Sequence, residues 1–598
     1  MSVFEHVDIL YPGKANNEAA GWGRDDVDEV EGLEQTAGSA VPSRTPRIRW
    51  LLKTLFWITT FICSGFTSVS SFALWIAILT WDEPNDPHFM TKLFVKGLLF
   101  GLLALVSFRW LRIQHGIWPS IHDPRETADS PVKMRQTWAA IACLVLIALV
   151  AIPFLGTYPH IEPDESHHLI VARNLAEFGV YGSGHPQAGF EWFDDYDSVG
   201  PPVIVPVAIT LRFGDTNLLY GRLVMALYFV TLCIALYGIV VPLFGASAGI
   251  AAMLLATAAL GSAYLARSLY GEVPALFFLV LGLLLWRESV NGRFAFLNAL
   301  LAGCCFGFMI LTKYFAVIAF WAFLGVLVYD RLTFRKLTLI HLLVPAVCAS
   351  AILIGWLAIQ NAYRPDGSDV TAGHLSMYKH NLMFGFDPLP RTLGFLVRHG
   401  VTVLVAIAAM IAAAPVVFYR RYDPAAAVLF FFAPFIAYWW VFFTTGNIPR
   451  YLWYAIVIVA VFTGPLAWLL VRGAWNSGKQ TTRIACTLIA IPVLAPYAFN
   501  AWAELSGIYR RNDMADEYAL THYVESLPPH QELSTTFYPV ERTLNFLAGR
   551  YVERIPAQPE AVANAPLVIV DAVSQEMLLN SVDTVERFGR YAVVKGKR

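Results

Sequence analysis

Long apolar runs alternate with short polar ones along most of the chain, and the length of the apolar runs is that of membrane crossings. A bilayer core takes roughly 17–25 apolar residues per helix. Runs near that length occupy residues 54–80, 93–110, 137–155, 218–243, 246–264, 272–287, 295–311, 314–329, 338–360, 400–419, 424–444, 451–471 and 484–503. The pattern predicts a polytopic α-helical protein with about thirteen transmembrane helices. Residues 163–182 (PDESHHLIVARNLAEFGVYG) break it. There Leu169, Ala172, Leu175 and Ala176 recur at helical spacing, which predicts an amphipathic helix lying along the bilayer surface with Asp164 and Glu165 at its start. Residues 203–211 are apolar but too few to span, and read as a re-entrant or interfacial piece.

The two ends of the chain follow other patterns. Residues 1–50 are polar, with a charged stretch over 24–34, and are expected to be a disordered cytoplasmic tail; 51–136 then hold two further spans and a cytoplasmic loop. After the last span, short strands at 532–538, 566–570 and 591–594 alternate with helical stretches at 540–547 and 574–579. That alternation predicts a small external α/β domain over 504–598.

Composition sharpens the class. At 57% hydrophobic and 15% charged residues, the chain falls well below the charged share of about 25% found in soluble domains. A net charge of -1 without a basic stripe gives no footprint for nucleic acid. All seven cysteines lie in apolar runs and read as core residues, not as a disulfide framework or thiolate metal site. Lysine and arginine instead report topology. The clusters before residue 54, over 109–135, at 331–336, at 420–421 and over 472–483 all fall on one side if the spans alternate, and that side is the cytoplasm. The loops 81–92, 156–217 and 361–399 and the C-terminal domain are then external, as expected of a multi-pass protein of the cytoplasmic (inner) membrane with a periplasmic working face.

Four polar constellations share that face: Asp164-Glu165 with His167 and His168; Arg267, Tyr270 and Glu272; Lys313-Tyr314; and Arg450-Tyr451. Acids and cations at a bilayer edge suit an anionic, lipid-borne substrate. The cations neutralise a phosphate, arginine through a bidentate fork, and a carboxylate takes a proton. An aspartate at a helix start is also an ordinary N-cap. Glu165 and His168 stand three apart on one helical face, and with oxygens from the Asp194, Asp195 and Asp197 cluster they are a candidate divalent-metal site. The alternatives are hydrogen-bonded surface histidines and a solvated acidic loop. Loop 361–399, with His374, Tyr378, Lys379, His380 and Asp387, is long enough to cover a site.

The same residues carry a family resemblance. The Asp164-Glu165 pair, the Gly200-Pro201-Pro202 segment, the helix start Gly271-Glu272 before PALFF, the Leu311-Thr312-Lys313 turn and the Arg450-Tyr451-Leu452 run ending at Gly464 resemble the GT-C fold membrane glycosyltransferases. Within them, the chain is similar to the group of protein O-mannosyltransferases, lipid A aminoarabinose transferase and rhizobial lipopolysaccharide glycosyltransferases. The resemblance covers roughly residues 137–550 and implies a GT-C-like catalytic core over 137–503. It implies an enzyme moving a sugar from a polyprenyl-phosphate carrier to a lipid, glycan or protein acceptor by inverting displacement, with no certain cofactor. Asp164 would be the base, beside Glu165, and Glu272 the second acid; Lys313, Arg450 and Arg267 would hold the carrier phosphate, with His168, Asp195, Asp197, Tyr270 and Tyr451 as further site candidates. One departure stands out: many relatives place a lysine directly before the Pro-Pro pair, where this chain has Gly200. The rival class is a transporter or lipid flippase, which would show internal repeats and ionisable groups at mid-span. Here the polar residues sit at span ends.

Overall fold

The computed structural model describes residues 131–193, 199–214, 217–292, 294–364, 389–442, 449–579 and 582–595. The expected tail, the spans at 54–80 and 93–110, Asp194, Asp195 and Asp197, and residues 365–388 of the predicted cover lie outside them.

The helices of more than ten residues, in chain order, are α1 (Pro131–Ala151), α2 (Pro163–Phe178), α3 (Pro201–Gly214), α4 (Leu218–Phe244), α5 (Ala246–Thr257), α6 (Glu272–Asn291), α7 (Ala295–Thr312), α8 (Ala319–Thr333), α9 (Leu339–Tyr363), α10 (Leu389–Pro415), α11 (Pro424–Phe442), α12 (Pro449–Asn476), α13 (Gln480–Arg510), α14 (Ala515–Ser526) and α15 (Tyr538–Ala548). A hairpin of β1 (Gly182–His185) and β2 (Gly189–Trp192) follows α2. Among the described residues nine helices are long and apolar enough to cross a membrane. Large apolar side chains such as Ile141, Val145, Leu343, Val347, Leu488 and Phe499 face outward, an arrangement favourable only against hydrocarbon. The protein is a multi-pass membrane protein. The expected runs at 137–155 and 246–264 form shorter apolar helices.

The second of these departs most from the reading of a simple span. Helix α5 has twelve residues, roughly 18 Å of rise, after which the chain becomes irregular over 258–271 apart from one short turn of helix, Ser262–Leu265. Irregular backbone at membrane depth is tolerated where protein encloses it, and residues 265–276 are all buried.

Helix α2 also differs from expectation. Glu162 is its N-cap and Pro163 its first residue, so Asp164 is not the cap; Gly179 closes the helix in a left-handed conformation. Residues 165–174 are all buried, so α2 is enclosed by protein and does not lie on a bilayer surface. Leu169, Ile170 and Val171 share one core cluster with Val203, Val207, Met514 and Phe546. The polar side chains of α2 are covered from the C-terminal part of the chain: the Arg173 guanidinium donates to the carbonyl and side-chain oxygens of Asn545.

That C-terminal part contains a five-stranded sheet, with β3 (Ser534–Thr535), β4 (Glu553–Arg554), β5 (Val568–Asp571), β6 (Asp583–Phe588) and β7 (Tyr591–Lys595) in the order β4-β3-β5-β7-β6. β3 runs parallel to β4 and β5, and β7 antiparallel to β5 and β6. β5 is buried throughout, as a central strand with both faces covered requires.

At one end of the bundle, Arg421 donates to the carbonyls of Pro242 and Leu243 and Arg287 meets Asp423. At the other, the starts of α2, α6 and α12 converge on the end of α7. Two glycines permit that convergence. A Cβ on Gly200 would stand 2.2 Å from the carbonyl oxygen of Leu311, so α3 starts against the end of α7 only because no side chain intervenes. Gly271, at φ +82°, turns the chain into α6 and makes Glu272 its first residue. Gly200→Ala is expected to destabilise the protein by roughly 1–3 kcal/mol through overpacking, since the obstacle is backbone and cannot swing aside. Thermal unfolding in detergent checks this, and an unchanged Tm would remove the close approach as a constraint.

Candidate active site

Asp164 and Glu165 are neighbours at the start of α2, and the fold sends them in different directions. Glu165 points inward and is fully buried against Arg222 of α4 in a two-pronged pair, Nε to Oε1 at 2.8 Å and Nη2 to Oε2 at 2.7 Å. The remaining Arg222 nitrogen donates to the carbonyls of Leu155 and Pro159, and Glu165 also accepts from the Leu269 N–H at 3.2 Å. Arg267 is equally committed. Its guanidinium donates to the carbonyls of Val150, Ala151, Pro153 and Tyr158 and is buried with no face toward a phosphate. Both residues thus hold the connection between α1 and α2, and neither joins the cluster around Asp164.

Asp164 turns the other way. Its Oδ2 is 2.5 Å from Arg450 Nη2, with half of its side chain exposed. Arg450 Nε lies 3.6 Å from Glu272 Oε1, and Lys313 Nζ is 3.7 Å from that same oxygen. Two carboxylates and two cations therefore alternate from the rim inward, Asp164, Arg450, Glu272, Lys313, the last two buried. The Arg450 guanidinium sits 4.4 Å from the Tyr270 ring and 5.6 Å from that of Tyr451, contacts that favour a cation. Six of the residues singled out in the sequence meet here: Asp164, Glu272, Lys313, Arg450, Tyr270 and Tyr451.

The electrostatics follow from burial and pairing. Burial pushes the Asp164 carboxyl up, but the Arg450 guanidinium outweighs it and, with its hydrogen bond, holds the group down to about 2. Asp164 is therefore ionised at neutral pH. Burial lowers the Lys313 ammonium, against the opposing pull of Glu272. His168 is pushed well below its usual value by burial, with His167 and Lys313 adding to the effect. It is then neutral, and its Nδ1–H donates to the Leu269 carbonyl at 2.6 Å.

The pairing of Glu165 with His168 does not fit a metal. The carboxylate oxygens are taken by Arg222 and the Leu269 amide, and His168 is anchored through Nδ1. Among the described residues no group of three or more His, Cys, Asp or Glu is arranged to hold an ion.

Arg222 and Tyr264 escaped the sequence reading. An arginine four residues into a long apolar run was the available signal for the first, since a charge there requires a partner. Tyr264 donates to Glu162 at 2.6 Å, and its ring stacks with that of Tyr270 at 6.1 Å, placing a tyrosine pair beside the cluster. Nothing in its flanking residues marked it.

With this geometry in view, comparisons place the fold. The chain superposes on ArnT from Cupriavidus metallidurans bound to undecaprenyl phosphate with a TM-score of 0.54 at 15% identity, covering 77% of this chain and 98% of that one. The same protein in its apo state gives 0.53 at 15% identity and the same coverage. The architecture is thus the GT-C fold. AglB from Archaeoglobus fulgidus, in complex with an inhibitory peptide and a dolichol-phosphate, gives 0.48 at 12% identity, covering 78% of this chain and 75% of that one. The model of the family dolichyl-phosphate-mannose-protein mannosyltransferase matches residues 201–356, a stretch that contains Glu272 and Lys313 but neither Asp164 nor Arg450. A search of curated protein sequences finds no match.

The Asp164–Arg450 pair predicts a pH dependence. Because the folded pKa of Asp164, about 2, lies below its ordinary 3.8, the pair stabilises the fold where Asp164 is charged, and that contribution is lost as pH falls toward 2. Arg450→Gln keeps the burial and removes the cation, so the carboxyl pKa should rise. Infrared difference spectra, with Asp164→Asn to assign the band, are expected to show Asp164 protonating at higher pH in Arg450→Gln than in the unaltered protein. Coincident titrations would disprove the coupling.

Proposed function

We propose that this protein is a glycosyltransferase of the cytoplasmic membrane that takes a sugar from a polyprenyl-phosphate carrier and passes it to a hydroxyl acceptor on the external, periplasmic face. The observation that carries the reading is the Asp164–Arg450–Glu272–Lys313 cluster at one end of the bundle, where an ionised, half-exposed carboxylate stands over two cations. Support comes from the fold shared with ArnT, solved with undecaprenyl phosphate, and from the mannosyltransferase family match over 201–356. A transporter would need ionisable groups along a path through mid-span; these lie at helix ends.

The chemistry divides among four groups. Lys313 and Arg450 hold the carrier phosphate, Arg450 with donors enough to keep Asp164 as well. Glu272, buried between the cations, fixes their positions and keeps the cluster from carrying excess positive charge. Asp164 accepts the hydrogen bond of the acceptor hydroxyl. As the bond from the sugar anomeric carbon to the phosphate oxygen breaks and the bond to the acceptor oxygen forms on the opposite face, the acceptor proton passes to Asp164 and the electron pair stays on the phosphate. A carboxylate held near 2 is a weak base, and it takes the proton late, when the new bond has made the acceptor oxygen acidic. The leaving phosphate needs no proton, since two cations already stabilise its charge.

The test is sugar transfer by purified protein from radiolabelled polyprenyl-phosphate sugars to membrane extract. Asp164→Asn is nearly isosteric and is not the helix cap, so it should fold and bind the donor while losing about 10²–10⁴-fold in turnover; near-normal turnover would sink the base assignment. Lys313→Ala should weaken donor use about 10–100-fold, the equivalent of a lost charged hydrogen bond of roughly 1.5–3 kcal/mol. Unaltered donor KM would take Lys313 out of phosphate binding.

A further inference from the structure

The connection over residues 152–162 ends two residues before Asp164, and its inner side is held by Arg222 and Arg267. Its outer side is held by the beginning of the C-terminal part. The Asp513 N–H donates to the Thr157 carbonyl at 2.9 Å, the Tyr518 hydroxyl to that of Gly156 at 2.7 Å, and the Ile161 N–H to Met514 Sδ at 3.3 Å. Among these ties, which include the Tyr158 hydroxyl donating to Glu504 at 3.4 Å, lies a side-chain contact of another kind. His160 Nε2 is 2.6 Å from Glu517 Oε1, and the same oxygen accepts from the Tyr591 hydroxyl of β7 at 2.7 Å. Arg590, the residue before Tyr591, reaches His160 at 3.4 Å and Asp571 at 3.3 Å, and its N–H donates to Asp516 at 3.0 Å.

Glu517 is buried, and its second oxygen has no hydrogen-bond partner. For packing alone that is a poor choice, because a buried carboxylate is costly and an apolar side chain of similar volume fills the same space at least as well. What the carboxylate adds is direction. It fixes the His160 ring, and with it the backbone four residues before Asp164, against a strand from the far end of the chain.

We propose that Glu517 is a positioning residue for the reaction: through His160 it locks the connection that aims Asp164, and this makes the C-terminal sheet a working part of the site. This inference rests on the reading of Asp164 as the base. Misplacement of a reacting group by about 1 Å costs on the order of 10²-fold in rate, so the lock acts on turnover and leaves donor binding, which Lys313 and Arg450 provide, nearly untouched.

The experiment uses the full chain in nanodiscs, with hydrogen exchange and sugar transfer measured on the same samples of Glu517→Ala, Glu517→Gln and Glu525→Gln. Glu525 lies on α14 and pairs with His522 at the surface, so its variant serves as a control. Glu517→Ala is expected to speed amide exchange over 156–162 while β5 and β7 stay protected, and to lower kcat about 10–100-fold with donor KM within about twofold. Glu517→Gln, which keeps an acceptor oxygen for His160 and Tyr591, should restore most of that kcat. The inference is overturned if exchange over 156–162 is unchanged in Glu517→Ala, if kcat is unchanged, or if donor KM rises as much as kcat falls while the whole sheet loses protection. Absence of sugar transfer by the unaltered protein would overturn the enzymatic reading and the positioning role with it. Normal transfer by Glu517→Ala overturns the positioning role alone.

Discussion

Everything at the polar end of the bundle depends on the burial of one ion pair. Successive residues of a helix project about 100° apart, so two adjacent carboxylates meet different surroundings. Glu165 is taken up in the buried pair with Arg222, and Asp164 faces the cluster of Arg450, Glu272 and Lys313. A charge pair removed from water is tolerated only where its remaining donors and acceptors are met, and this one is completed by the Leu155 and Pro159 carbonyls and the Leu269 amide. Through those contacts it ties α2 and α4 to the connection before α2 and to the irregular stretch after α5. The pair is therefore less a source of stability than a device that makes four segments agree on where Asp164 stands.

The sequence made the membrane class, nearly all of the described spans and the polar end legible, because apolar length and the location of charges are local properties. It also brought out six residues that meet in space, since a charge at the end of an apolar run is conspicuous. What it could not show was pairing. Arg222 and Arg267 lie in the same kind of position as Lys313 and Arg450, yet the first two are consumed by buried backbone carbonyls and Glu165, and only distance in three dimensions separates the roles. The enclosure of α2 was hidden for the same reason: the amphipathic spacing of its apolar residues is that of a surface helix, and the partner that buries Arg173 is 372 residues away. The break after α5 went unread because residues 258–264 are as apolar as a helix would be. Their irregular path is dictated by Gly261, by the Ser262 hydroxyl bonded to the Ala256 carbonyl, and by what surrounds them.

The order of charges from rim to interior also has a meaning beyond neutrality. Arg450 stands between Asp164 and Glu272, and Lys313 against Glu272, so both cations are held in place by ion pairs and the cluster as a whole carries nearly balanced charge.

The contact at Gly200 reaches further than local packing. In a chain where a lysine precedes the Pro-Pro pair, the start of the third helix must stand back from the end of the seventh by at least the width of a methylene group, because the carbonyl of Leu311 fills the space a Cβ would need. Any side chain at position 200 therefore has to be accommodated by separating two helices and not by a rotamer change, so the spacing of the polar end is set at a position that carries no polar group itself.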